Sequence, residues 1–553
     1  MAVFYKIHPA IGIARLGNSP ESYPGPTLPG VYTPPASYRD GAKNLKRQSV
    51  SFSVYAYDDA NPNAEPLKVK VGPNETVKSI QWTVHVANKK AAWFDFDGLT
   101  GANDILNPPN FGYPPGSLRN STGSSTDWTI DPGPRGASAP GSVVAFGRNG
   151  SNGTYPETWP QPFQNGNSAG IDTLGQMKVE PDSSLTVLGG FGNSGSINGS
   201  GIVHYANNPG WFDDASDGSV QAQLVSAKGT EDAVPAWVIV GPPDFAPPIE
   251  NIVTLYDAIY DVGLRFCKLD PAIFDPNTNQ FRSQFTPSFE NDVYPILARA
   301  FNYRWVYDNN SPPMAPTFHT SMGGASLTAL STPPAAGNDP NLSSRQTIFH
   351  RLRNPNAGQN NNFPGNMPKL HSDLGDGPQG ALKFTLTITQ FEIMRRWAEG
   401  QFTFNGGPLP SSLPNQITAA GLDRAVLQAA VGGAFFPGIE CSWIVREPKL
   451  YLSPFQFRFR VAGTGDPNGL SPGDVTKRSA CPWQADFYEC GHNWWPAQRP
   501  NQVRTSLANA DYHEWDDGIN ADMGMVQGWH ELGIVKYDSP SGVYFEDERN
   551  LGP

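Results

Sequence analysis

Cysteine is scarce in this chain: four among 553 residues, at positions 267, 441, 481 and 490. So few, so unevenly spaced, exclude a disulfide scaffold for a chain of this size. Charge is thin as well. Charged residues make up 16% of the composition and the balance is acidic, −12 with a pI near 5.2. That leaves no concentrated basic surface of the kind that binds nucleic acid. Long apolar runs are missing too, and none approaches the ~20 residues needed to cross a bilayer, so no membrane partner is expected. The opening MAVFYKIHP has neither a basic start nor a sustained apolar stretch. No secretory leader is therefore expected, and the cytoplasm is the default location, with export by an unconventional route left open.

What the chain has in abundance is glycine (57), proline (54) and aromatic residues (11%). This composition suits short strands joined by turns and long loops, around a core large enough for a chain of this length. Alternating segments such as Ser51–Tyr57 and Ile80–Val86 read as strands, and AVPAWVIVGPPDFAPP (233–248) as a buried strand running into a proline-stiffened loop. Helical patterns come later, at 290–306 with Pro295 near the start, at 389–400 and at 421–433. In the second of these, Thr389 and Glu392 have the spacing of a capping box. The tract 331–368 reads as irregular loop or lid. The expected fold class is α+β and β-rich, with many short strands and long loops: a β-rich part over 1–250, then a mixed part over 251–553 carrying most helices and the candidate site, or one interlocked domain.

Three familiar chemistries fail on context. Gly190-Phe191-Gly192-Asn193-Ser194-Gly195 has dinucleotide-fingerprint spacing, but the strand-like Ile202–Tyr205 follows where a helix is required, so it reads as a glycine-rich hairpin and no NAD is expected. Asp213, Asp214 and Asp217 lack the register of a calcium loop and read as a solvated turn. Cys481, Cys490 and His492 lack the paired ligands of structural zinc, so no metal is expected. A cysteine hydrolase built on Cys490 with His492, His513 or His530 stays open on sequence alone, as does an inert buried thiol.

The crowd of aromatics around Cys490 is more telling. PWQADFYEC (482–490) with WWPAQRP (494–500), together with YKIHPAIGIARLGNSP (5–20), VHVANKKAAWFDFDG (84–98), EDAVPAWVIVGPPDFAP (231–247), FFPGIECSW (435–443) and MVQGWHELGIV (525–535), resembles the family of lysine 6-oxidases and glycine oxidases. The matches keep their order over nearly the whole chain. The family carries a cysteine tryptophylquinone (CTQ) made from its own side chains. The resemblance implies that Cys490, four residues after Asp486, is joined by a thioether bond to Trp529 of the W-x-x-L-G motif, with Trp495 and Trp494 as fallback partners. One departure stands out: Glu531 holds the place where the family often has His.

The resemblance also implies an activity. The quinone captures a primary amine or amino acid, a base removes a proton from the carbon bearing nitrogen, and O2 restores the ring, yielding ammonia and hydrogen peroxide. Asp486 is the candidate base, since desolvation among aromatics favours a carboxylate that works near neutral pH. Cys441, His530 and Glu531 are candidate pocket residues, and Arg499 is a candidate partner for a carboxylate of substrate or protein. A separate flavoprotein is implied for maturation, with no flavin bound to this chain; a homo-oligomer is compatible with the sequence.

Overall fold

The structure, a computed structural model, describes the chain apart from residues 1–2, 63, 96–116, 149, 151–154, 167–169, 308–325, 336, 356–366, 369, 371–383, 408, 410–415, 434–440, 442–443, 461–468, 490–494 and 552–553. Its first half is organised by one sheet of thirteen strands. The strands that matter below are β1 (Val3–His8), β2 (Ile11–Arg15), β3 (Arg47–Asp58), β4 (Val77–Ala87), β5 (Arg135–Ala137), β6 (Val143–Gly147), β7 (Thr173–Val179), β8 (Leu185–Leu188), β9 (Ser194–Ser196), β10 (Trp211–Asp213), β11 (Ser216–Ser226) and β12 (Ala236–Gly241). Along the main path their order is β5-β4-β11-β12-β2-β3-β8-β7-β6. The ends β5 and β6 approach each other, so the sheet nearly closes.

Alternation drives most of this. In β4 the side chains of Ile80, Trp82, Val84 and Val86 are buried, the period of two that puts one strand face on a core. β12 is buried along its whole length and pairs in parallel with β2, Trp237 opposite Ile11 through Gly241 opposite Arg15. β11 runs antiparallel to β4. β9 and β10 form a separate small sheet in which Ser194 faces Asp213 and Ser196 faces Trp211.

Among the described residues eight α-helices follow, each after residue 250: α1 (Leu255–Phe266), α2 (Tyr294–Asn302), α3 (Ser326–Ser331), α4 (Leu342–Phe349), α5 (Ile388–Ala398), α6 (Ala419–Gln428), α7 (Trp483–Glu489) and α8 (Asp522–Gly528). The α+β class expected from composition is what the fold shows. One hydrophobic cluster runs from Ile7 in β1 to Val535 near the C-terminus, so the sheet and the helices share a core.

Three local expectations need correction. The capping box of α5 is built two residues earlier, from Thr387 and Gln390; Thr389 instead donates its hydroxyl to Asp261 at 2.7 Å, and Glu392 pairs with Arg395 and Arg396. The tract 331–368 is not irregular throughout, because α4 lies within it. That helix has almost no amphipathic pattern and is pinned by the buried Arg345, which pairs with Asp339 and donates to the Trp397 carbonyl. Residues 202–205 form no strand. The Asn208 and His204 side chains take the backbone N–H groups of residues 203, 204, 206 and 207 that a ladder would have used.

Candidate active site

Two short helices bring the site together. α7 carries Asp486, whose side chain is completely buried, and ends at Glu489, so Cys490 is the next residue in the chain. Cys490 and Trp494 lie outside the described residues. α8 packs against α7 and leads through Gly528 into a single 3₁₀ turn, Trp529–Glu531. Trp529 is fully buried, and the ring of Trp483, the first residue of α7, meets it edge-to-face at 5.2 Å and 70°. Sequence neighbours of Cys490 and the ring of Trp529 are thus held side by side. Trp495, also buried, packs on Phe487 of α7 at 4.9 Å.

The turn that presents Trp529 is fastened from far away. Arg39, buried near the start of the chain, donates to the carbonyls of His530, Leu532 and Glu548. The Glu531 carbonyl receives the N–H groups of Asn550 and Leu551. His530 sets its ring perpendicular to Trp529 at 5.5 Å, and burial pushes its pKa below the usual 6.5, favouring the neutral imidazole. Arg499 pairs with a carboxylate of the protein: its guanidinium reaches Asp516 at 2.6 Å and the carbonyls of Phe487 and Pro500. Cys441 is buried, with its carbonyl accepting from Val445 N–H and its thiol near Tyr451.

α7 itself is anchored by the aspartates expected to be solvated. Asp213, Asp214 and Asp217 are all fully buried; partners distant in sequence satisfy Asp213 and Asp217, while Asp214 has one oxygen, Oδ1, with no hydrogen-bond partner among the described residues. Asp213 accepts Lys90 Nζ at 2.8 Å, Asn88 Nδ2 at 3.0 Å and the Trp483 N–H at 3.1 Å, fixing the first turn of α7. Asp217 accepts from Trp237 Nε1, Val475 N–H and the backbone and hydroxyl of Thr476, fixing the approach to that helix. Burial pushes its carboxyl up to about 6. Asp214 accepts the Asn193 N–H at 3.1 Å; burial, reinforced by the neighbouring Asp213 charge, pushes its carboxyl up to about 7.

That last contact props the glycine-rich segment Gly189–Asn193. Arg47 donates to the Gly189 carbonyl at 3.1 Å and lies over the Phe191 ring at 4.3 Å. Gln484, two residues before Asp486, donates Nε2 to the Gly192 carbonyl at 3.1 Å. Gly192 lies against Trp529 itself: a Cβ there would stand 2.2 Å from Cζ2 and 2.7 Å from Cη2 of the indole.

Among the described residues, no cluster of His, Cys, Asp and Glu side chains is arranged to hold a metal ion. Cys481, drawn above into a zinc set, is buried with its thiol donating to the Trp211 carbonyl, and burial pushes its pKa up to about 12. The glycine-rich segment leads into strand β9, which offers no helix N-terminus to a dinucleotide. No described helix is long and apolar enough to cross a membrane.

Comparison with known proteins gives this geometry a context. Residues 8–240 match the family described as L-Lysine epsilon oxidase N-terminal, and residues 366–515 match the L-lysine epsilon oxidase C-terminal domain. The chain is 30% identical to L-lysine 6-oxidase of Marinomonas mediterranea over 575 aligned positions, covering 92% of this chain and 74% of that protein. It belongs to the L-lysine epsilon-oxidase family. Two crystal structures of the Marinomonas mediterranea L-Lys epsilon-oxidase, one of them of the Schiff base intermediate with L-Lys, superpose with TM-scores of 0.82 and 0.81 at 25% identity, covering 99% of this chain and 95% of theirs. Family membership makes the chain an oxidoreductase of the amine-oxidase type.

Several residues that build the site escaped the sequence reading. Arg39, Lys90 and Gln484 carry no local signal, since each acts on backbone or charge far along the chain. Gly192 stood inside a motif already set aside for want of a helix, and no signal near it in the sequence ties it to Trp529.

Proposed function

We propose that this chain oxidatively deaminates a primary amine or amino acid, using a CTQ formed from Cys490 and Trp529, with O2 as acceptor and ammonia and hydrogen peroxide as products. L-lysine, the substrate in the related oxidase's name, is the first to test. The observation that carries the reading is the meeting of α7 and α8: a fully buried carboxylate, Asp486, on the helix that ends one residue before Cys490, and the Trp529 ring against the start of that same helix.

The residues present fit such a group. The Trp529 indole N–H has no hydrogen-bond partner among the described residues, and the carbons Cζ2 and Cη2 face a glycine rather than a side chain. A quinone there supplies an electrophilic carbonyl for the amine and a sink for two electrons. Asp486 takes the proton from the carbon bearing nitrogen; a base so positioned contributes about 10²–10⁴ in rate. Trp483 and Phe487 keep bulk water from the ring, and the fixed turn at 529–531 holds the ring still, so little reorganisation is needed during reaction. Maturation depends on a separate flavoprotein.

Protein matured with its flavoprotein and supplied with L-lysine, glycine and other amines should release peroxide and ammonia together, with a visible absorbance that bleaches anaerobically on amine addition. Mature protein that carries no such absorbance and turns over none of the amines refutes the reading.

A further inference from the structure

The glycine-rich segment 189–193 faces the Trp529 ring, and three side chains brace it from outside. Arg47 holds its first carbonyl, Asp214 holds the Asn193 N–H, and Gln484 holds the Gly192 carbonyl. All three bracing side chains are buried. Such bracing fixes the backbone at a buried point, Gly192. What it presents there is Gly192, in the left-handed region at φ 73° and in contact with the six-membered ring of Trp529.

We propose that Gly192 is a positioning residue for the redox ring: its bare backbone, clamped by Gln484, defines the space in which Cζ2 and Cη2 of Trp529 are oxidised and later meet the amine. The inference rests on the proposed function. A dione needs two adjacent ring carbons free to gain oxygen, and these two are the atoms a side chain at 192 would displace, at 2.2 and 2.7 Å. Their oxidation replaces two C–H bonds by two C=O bonds, the oxygen and oxidising equivalents coming from O2 and the maturation flavoprotein. Gln484 lies on α7 two residues before Asp486, so the clamp links the wall of the ring to the helix of the candidate base.

The test is intact mass and absorbance of Gly192→Ala, Gly190→Ala and wild type, each matured with the flavoprotein. A Cβ at Gly190 would meet the Asp214 carboxylate at 2.4 Å rather than the ring, so that variant strains the same loop without touching Trp529. Expected are a folded Gly192→Ala protein at precursor mass, without chromophore, and a Gly190→Ala protein of lowered melting temperature that still carries the modification. Gly192→Ala with wild-type mass and spectrum overturns the inference, as does loss of the modification in Gly190→Ala. Should Gly192→Ala not fold, Gln484→Met decides: kcat falling roughly 100-fold with little change in KM and a shifted absorbance supports the clamp, and unchanged kcat and spectrum overturn it. An unmodified wild type sinks the proposed function as well, whereas a modified wild type with an equally modified Gly192→Ala sinks only this inference.

Discussion

Residues 189–217 and residues 483–531 meet at the Trp529 ring but are built in opposite ways. The second stretch is aromatic: Trp483, Phe487, Trp495, Trp515 and Trp529 pack on one another, and the buried carboxylate of Asp486 lies on the same helix as Trp483 and Phe487. The first is rich in glycine and carries three aspartates, which are buried as deeply as those tryptophans. The difference separates two tasks. Aromatic packing is non-directional and creates a dry volume, while buried charges with fixed hydrogen bonds specify where each backbone segment stops. The proposed chemistry sits on the aromatic side, and the polar side fixes the backbone that meets it.

Substitutions on the two sides should therefore fail differently. The largest effect belongs to Asp486→Ala, for which amine turnover should fall by about 10²–10⁴, or vanish with maturation; peroxide assays and intact mass distinguish those outcomes. On the polar side Lys90→Met leaves Asp213 charged and uncompensated in the interior, and should cost about 3–5 kcal/mol in denaturant unfolding. Adding Asp213→Asn should recover part of that loss. A smaller effect is expected from Asp214→Asn. The folded carboxyl titrates near 7 against an ordinary 3.8, so the stability it contributes is complete below pH 3.8 and is lost as pH rises to about 7. Asn keeps the acceptor without the charge, so melting temperature should decline less across that window than in wild type. The smallest effect lies away from the ring. His513 bonds Glu546 at 2.7 Å, which raises its pKa above 6.5. Its contribution is complete below 6.5 and fades as pH rises through the folded value; in His513→Gln that shallow alkaline limb, about 1 kcal/mol or less at a partly exposed pair, should flatten.

Legibility followed the same divide. The aromatic side announces itself in contiguous words, PWQADFYEC and MVQGWHELGIV; these were enough to reach the family, and they make Asp486 and Trp529 candidates. Strands β3, β4 and β12 were equally readable from alternation and apolar runs, because their cause is local. Asp213, Asp214 and Asp217 look like a wet turn in sequence, since the partners that make burial tolerable are Lys90, Asn193 and Thr476. The cap of α5 was misplaced because Thr387–Gln390 and Thr389–Glu392 satisfy the same local rule, and only Asp261, across the core, draws Thr389 away. α4 went unseen for a related reason: its anchor is one buried arginine, not a stripe of apolar residues. Gly192 has meaning only once Trp529, more than three hundred residues later, lies against it.

The proposed activity depends on the covalent union of two side chains. Peptide mapping by mass spectrometry of protein matured with its flavoprotein tests this most directly. The account predicts one joined species containing Cys490 and Trp529, heavier by two oxygens and lighter by the hydrogens lost in bond formation and oxidation. Separate peptides bearing an unmodified Cys490 and an unmodified Trp529 would contradict it.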